Sequence, residues 1–252
     1  MATSSNTSDP APSRSDSSPH RAAFFRLEGT LHEGAAWSAA LYLASNAASM
    51  RQRLFASSGA LLGGLFRSTR VTGAEATRLS FAPLAGFTRD RLDVLCEDYA
   101  REVLLPALRP EARALLAGAR ADGFKTVLVT ESLDLIGESL SRALGEGQGF
   151  DFVLANRLEF DGKDRCTGDL ITPVLAPELD PKRLREFALL NNIDLGASRA
   201  YGSAREDLVL LGAVGHPCAL EPSRELARVA RDLEWPIVRV RAEFETTEGA
   251  SR

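Results

Sequence analysis

Three short polar runs stand directly behind apolar segments that read as buried strands: Arg26-Leu27-Glu28-Gly29-Thr30, Thr130-Glu131-Ser132 and Gly202 to Asp207. In an open parallel sheet, ligands bind outside the carboxyl ends of the strands, near the point where strand order reverses. These runs are therefore where chemistry is expected. They bring carboxylates (Glu28, Asp207), hydroxyls (Thr130, Ser203) and one guanidinium (Arg26). Arg26 reads as a structural salt-bridge residue, with anion binding as the alternative. Thr130 reads as a strand-end hydroxyl that can cap the next helix. Asp207 begins a helical segment, where an acid is stabilising without any metal. His216 has no neighbour in sequence that would make a nucleophile–base pair, and His32 is only an outside candidate for a nucleophile. The three cysteines, Cys96, Cys166 and Cys218, have no metal-ligand spacing and read as reduced thiols, with Cys218 packed in a strand.

The elements that must position these residues alternate. Strands are expected at Ala22–Leu27, Thr126–Val129, Phe152–Ala155, Ser198–Tyr201, Pro217–Leu220 and Ile237–Val240. Helices are expected at Glu111–Ala121, Asp134–Leu144, Pro181–Leu190, Glu206–Ala213 and Ser223–Leu233, and a hairpin is expected to turn at Asp161-Gly162. This alternation predicts an α/β fold: a doubly wound parallel sheet covered on both faces. Residues 35–105 are Ala-rich with helical spacing and form an inserted helical cap, so the core is 21–34 plus 106–243. Residues 1–20 (rich in Ser and Pro) and 244–252 are expected to be disordered ends.

Composition narrows the partners. With 252 residues, 44% of them hydrophobic, the chain suits one domain of moderate size. A net charge of -4 supplies no basic field for nucleic acid. The Ala/Leu-rich stretch Trp37–Leu65 is broken by Arg51 and Arg53 and falls short of a membrane span. Membrane contact is not expected, and the absence of a signal-like leader points to the cytoplasm. Arg51, Arg53, Arg67 and Arg70 form a solvated basic face or a patch for an acidic partner.

The sequence resembles the phosphoserine phosphatase-like branch of the haloacid dehalogenase-like superfamily over roughly residues 22–240. Residues 154–168 (LANRLEFDGKDRCTG) and the run Ala200-Tyr201-Gly202-Ser203 through Val214-Gly215-His216-Pro217 carry the likeness. In that family the first strand ends in D-x-D-G-T-L; here it reads Arg26-Leu27-Glu28-Gly29-Thr30-Leu31. The resemblance implies a nucleophilic aspartate at position 26, an acid/base at 28, Mg2+ held by carboxylates including those at 203 and 207, and a phosphate held by Thr130 and a lysine. Measured back from Leu184, the lysine's place falls on Asp180, and Lys182 is out of register.

The chemistry is altered at nearly each of these points. Arg26 has no carboxylate to form an acyl-phosphate. Glu28 is one methylene longer than the usual acid, a displacement on the order of 1.5 Å. Ser203 replaces a metal-binding aspartate. A guanidinium where the first metal ligand belongs repels Mg2+, so no metal site is expected, and Arg26 is expected to pair with Asp207 and with Glu28. The leading expectation is a pseudophosphatase that binds an unidentified protein or a small anionic ligand, without a cofactor. The alternatives are a weak Mg2+-dependent phosphomonoesterase and a scaffold that docks a protein or a membrane surface through its cap.

Overall fold

The computed structural model describes residues 18–46 and 73–239. The expectations for residues 1–17, for Arg51, Arg53, Arg67 and Arg70, for the middle of the inserted segment and for 240–252 lie outside the described residues.

The sheet has six parallel strands: β1 (Ala22–Arg26), β2 (Lys125–Leu133), β3 (Phe152–Asn156), β6 (Arg199–Gly202), β7 (His216–Leu220) and β8 (Ile237–Val238), ordered β3-β2-β1-β6-β7-β8. The chain winds outward from β1 through β2 to β3, then crosses back to β6 and winds the other way. The order therefore reverses between β1 and β6, and that is where a crevice opens at the carboxyl end. The remaining strands, β4 (Leu158–Phe160) and β5 (Cys166–Leu170), form the expected antiparallel hairpin.

The reason β1 takes the centre is visible in its residues. Ala23 and Phe25 face one apolar cluster, and Ala22 and Phe24 face another; all four are fully buried. An uninterrupted apolar run is what a strand covered on both faces requires. The first cluster is closed by helices α1 (Ala36–Ser45), α3 (Arg89–Tyr99), α4 (Pro110–Ala121) and α5 (Asp134–Leu144), and the second by α6 (Pro181–Leu190), α7 (Leu208–Gly212) and α8 (Arg224–Asp232). Helix α2 (Gly73–Phe81) enters the first cluster through Phe81. The sequence also sets several helix starts: Asp180 accepts the Lys182 amide at 2.8 Å ahead of α6, with Pro181 in the first turn, and Ser223 accepts the Leu226 amide at 3.2 Å ahead of α8.

Between β1 and β2 the described chain is helical: α1, α2 and α3, the last continuing through a π-turn at Ala100–Leu104 and one more turn at Leu105–Ala107. Gly86 donates its amide to the Cys166 carbonyl at 2.8 Å, and Cys166 donates to the Phe87 carbonyl at 2.8 Å, so the β4–β5 hairpin is tied to the loop between α2 and α3.

Four expectations shift. His20, inside the stretch expected to be a disordered tail, is in place: its amide donates to the Asn192 carbonyl at 2.7 Å. Strand β2 runs on to Leu133 rather than stopping at Val129, with a register shift against β3 over that stretch. Its extra residues are buried, and the site residues Thr130, Glu131 and Ser132 lie on the strand itself. The helix expected over Glu206–Ala213 is a 3-10 turn, Arg205–Asp207, followed by α7. Cys218 lies in β7 as expected but is only partly buried.

Candidate functional site at the carboxyl end of the sheet

The loop after β1 is a tight reversal. The Leu31 amide donates to the Arg26 carbonyl at 3.1 Å, His32 to the Leu27 carbonyl at 3.0 Å and Gly29 to the His32 carbonyl at 2.7 Å. Gly29 holds φ +75°, and a Cβ there would lie 2.8 Å from Ser203 Oγ. Only glycine accommodates both the turn and that approach. The result is that residues 26–32 fold over the ends of β2 and β6.

Arg26 ends β1 and is 3% exposed. Its Nε lies 3.0 Å from Asp207 Oδ1, and its Nη2 lies 3.3 Å from Glu131 Oε1 and donates to the Pro177 carbonyl at 3.2 Å. The Nε–H is not aimed along the line to Asp207, so that contact is Coulombic rather than a directed hydrogen bond. Asp207 is itself fixed: Oδ2 accepts the amides of Ser203 at 2.7 Å and Ala204 at 2.9 Å. A Cβ at position 202 would sit 2.6 Å from Asp207 Cβ, which accounts for Gly202. Burial pushes the Asp207 carboxyl above its ordinary value, against the pull of Arg26 and the two amides.

Glu28 points elsewhere. The Thr130 hydroxyl donates to Glu28 Oε1, and the Glu131 amide donates to Oε2 at 3.4 Å. The expected Arg26–Glu28 pair is therefore replaced: Glu131 takes the second place on the guanidinium, and Glu28 takes the hydroxyl of Thr130. Thr130 does not cap helix α5 either. Its oxygen accepts the Ser132 amide at 3.0 Å, and the residue before α5, Leu133, makes no side-chain cap. Ser203 Oγ accepts from the Thr30 hydroxyl at 3.2 Å.

Lys182 does not join this group. It lies in the first turn of α6 with its side chain 75% exposed, 3.8 Å from Glu186 one turn on. His216 is exposed at the start of β7, at the opposite end of the strands. All three thiols are pushed up by burial, which makes them poor nucleophiles.

Two residues beyond the expected partners hold the site, Glu131 (read from sequence only as an acid that would repel a phosphate) and Asn156 (given no role). Glu131 completes the coordination of Arg26. Asn156, fully buried at the end of β3, donates to the Glu131 carbonyl at 2.7 Å and the Leu175 carbonyl at 2.8 Å, and accepts the Leu175 amide at 2.6 Å. It thereby fixes the loop carrying Pro177, whose carbonyl receives Arg26. The available signal was an Asn placed immediately after an apolar strand, where a buried amide must find partners for both ends.

The residues do not fit Mg2+. A hard cation needs about six oxygens in near-ideal octahedral array. Here Asp207 Oδ1 faces a guanidinium at 3.0 Å, Oδ2 is taken by two amides, and Ser203 Oγ is held by Thr30. Among the described residues no group of three or more His, Cys, Asp or Glu is arranged to hold a metal. No helix among them is long and apolar enough to cross a membrane.

Comparison with known proteins agrees with this architecture. A histidinol-phosphatase of Neisseria meningitidis is 24% identical over 164 residues, 64% of this chain and 72% of that protein. A phosphoserine phosphatase of Mycobacterium tuberculosis is 30% identical over 62% of this chain but only 36% of its own length. The inhibition of morphological differentiation protein of Streptomyces azureus is 29% identical, with 53% of its length covered. The chain thus spans about half or less of the last two relatives. Among solved structures, a protein of unknown function from Bordetella pertussis superposes with a TM-score of 0.74 at 23% identity, covering 88% of this chain and 99% of that one. A probable phosphoserine phosphatase of Vibrio cholerae gives 0.61 at 18% identity, covering 87% and 62%. The model of the haloacid dehalogenase-like hydrolases matches residues 19–212, from the strand before the Arg26 loop to the end of the helix behind Asp207, and the chain belongs to that family.

Proposed function

We propose that this protein uses a phosphatase fold for binding or regulation rather than for hydrolysis. One observation carries the reading: Arg26, the residue at the nucleophile's place, is buried between Asp207 and Glu131 and supplies the positive charge there itself. No carboxylate at that position can take a phosphoryl group, and the reading assigns no metal cofactor. The ligand class it favours is a small anion or a partner protein. Nucleic acid is not favoured at a net charge of -4.

The second reading is a weak Mg2+-dependent phosphomonoesterase, and the names of the relatives favour it: histidinol-phosphatase and phosphoserine phosphatase. It requires Arg26 to release Asp207 and another group to replace the missing nucleophile.

One experiment separates them. The purified full chain is assayed against a panel of phosphomonoesters with Mg2+, beside Asp207→Ala and the Arg26→Asp, Ser203→Asp double variant. The binding reading expects no turnover by the unmodified chain. Robust turnover that Asp207→Ala abolishes establishes the hydrolase instead. Titration calorimetry adds an independent check: Mg2+ binding well below millimolar overturns the replacement of the ion by Arg26.

A further inference from the structure

The amino ends of the strands, on the far side of the sheet from Arg26, carry a separate cavity. It measures about 390 Å³, within the range of small-molecule sites. It lies between the turn that leads from α7 into β7 and the turn that leads from α8 into β8, and His216, Pro217, Glu234, Trp235 and Pro236 line it. Backbone hydrogen bonds hold both walls. The Gly215 amide donates to the Leu195 carbonyl at 3.0 Å, His216 to the Ser198 carbonyl at 3.1 Å, and Ala219 to the Pro236 carbonyl at 2.8 Å.

Helix α8 ends in a Schellman turn: the Trp235 amide donates to the Ala230 carbonyl at 2.7 Å and the Glu234 amide to the Arg231 carbonyl at 3.2 Å. The residue between them takes a left-handed conformation, which favours glycine. The same turn after α4 uses Gly123, at φ +78°. After α8 the residue is Glu234, at φ +56°. Glutamate lacks the short polar side chain that lets Asn and Asp settle there. Three other described residues with side chains hold positive φ, and each is engaged: Asp164 pairs with Arg89 at 3.1 Å, and Asn192 and Glu221 have partners. The Glu234 carboxylate has no hydrogen-bond or ion-pair partner among the described residues. A strained residue that makes no contact within the fold points to a contact outside it.

We propose that this cavity binds a small organic cation, with an ammonium group set against the Trp235 indole and Glu234 as its counter-ion. Among the described residues that line the cavity there is no lysine or arginine, so an anion would meet a carboxylate with nothing to offset it. A carboxylate next to an indole supplies both attractions that an alkylammonium group uses, Coulombic and cation–π. The site stands apart from Arg26, and the proposal holds whether or not that end of the sheet hydrolyses anything.

The test measures choline binding to the full chain by calorimetry and by tryptophan emission. The chain has two tryptophans, so the emission is read in Trp37→Phe, which leaves Trp235 as the reporter. The uncharged carbon analogue of choline, dimethylbutanol, is run in parallel. The expected result is saturable choline binding that shifts the Trp235 emission, about tenfold weaker for dimethylbutanol and about fivefold weaker in Glu234→Gln. Glu234→Gly relieves the backbone while removing the carboxylate, so it is expected to lose binding without lowering the melting temperature. The proposal is overturned if choline does not saturate the chain below about 10 mM, if dimethylbutanol binds as tightly, or if Glu234→Gln binds choline unchanged. A marked fall in the melting temperature of Glu234→Gly also overturns it, because the glutamate would then be serving the fold.

Discussion

Two polar clusters hang from the end of the same central strand, two residues apart in sequence, and they are built on opposite terms. Around Arg26, opposite charges meet in a buried space: Asp207 at 3.0 Å, Glu131 at 3.3 Å and the Pro177 carbonyl at 3.2 Å. Around Glu28, the contacts are hydrogen bonds from Thr130 and the Glu131 amide. The first cluster is closed by mutual need, since none of its charges can be left alone out of water. The second is held by hydrogen bonds to a carboxylate, with no cation against it. A charge-paired lock and a hydrogen-bonded carboxylate thus sit side by side.

The largest effect should come from breaking the lock. Arg26→Ala leaves Asp207 and Glu131 buried with no cation and should cost about 3–5 kcal/mol of stability, read from the urea midpoint. The same reasoning predicts that Arg26→Met combined with Glu131→Gln and Asp207→Asn recovers much of that loss, because the penalty belongs to the unpaired carboxylates. If Arg26→Ala costs less than about 1 kcal/mol, the pairing is not what holds this end of the sheet.

Next in size is the residue that positions the lock from behind. Asn156→Ala removes three buried hydrogen bonds, from the Leu175 amide and to the Leu175 and Glu131 carbonyls. A loss of about 2–3 kcal/mol is expected. Increased amide exchange at Leu175 and Glu131 should accompany it.

The Glu28 cluster should respond more weakly and unevenly. Thr130→Val removes the hydrogen bond donated to Glu28 and the one accepted from the Ser132 amide, and should cost about 1.5–3 kcal/mol, less if Glu28 turns toward solvent. Ser132→Ala removes an oxygen that has no partner, so it should be neutral or stabilising by thermal melt. If both cost the same, the two hydroxyls are not in the different states that the comparison requires.

How much of this was legible beforehand follows from the range of the forces involved. The sheet could be read because each strand is a short apolar run punctuated by turn residues: β1's Ala22 to Phe25 face two cores and can be nothing else. Helix α6 was legible to the residue, since Asp180-Pro181 sets its start. The Arg26–Asp207 pair could be read because a buried guanidinium demands a carboxylate, and the fold brings position 207 to position 26. The partner choice between Glu28 and Glu131 could not. It depends on β2 continuing through Thr130 to Leu133, which turns Glu131 toward Arg26 and leaves the Thr130 hydroxyl for Glu28. A one-residue slip of register would invert that assignment, because side chains alternate faces.

Lys182 marks the smallest effect and the sharpest limit of motif reading. The family resemblance implies a phosphate-holding lysine in this region, yet Lys182 projects from the first turn of α6 with its side chain 75% exposed and only an i,i+4 neighbour, Glu186, at 3.8 Å. The position in register with the family lysine is Asp180, which instead caps the helix through the Lys182 amide. The side chain of Lys182 can therefore be exchanged without touching either cluster. Lys182→Ala should change stability by less than about 0.5 kcal/mol, read from the urea midpoint. A loss above about 1 kcal/mol would show that the lysine does more at the start of α6 than its exposed i,i+4 contact accounts for.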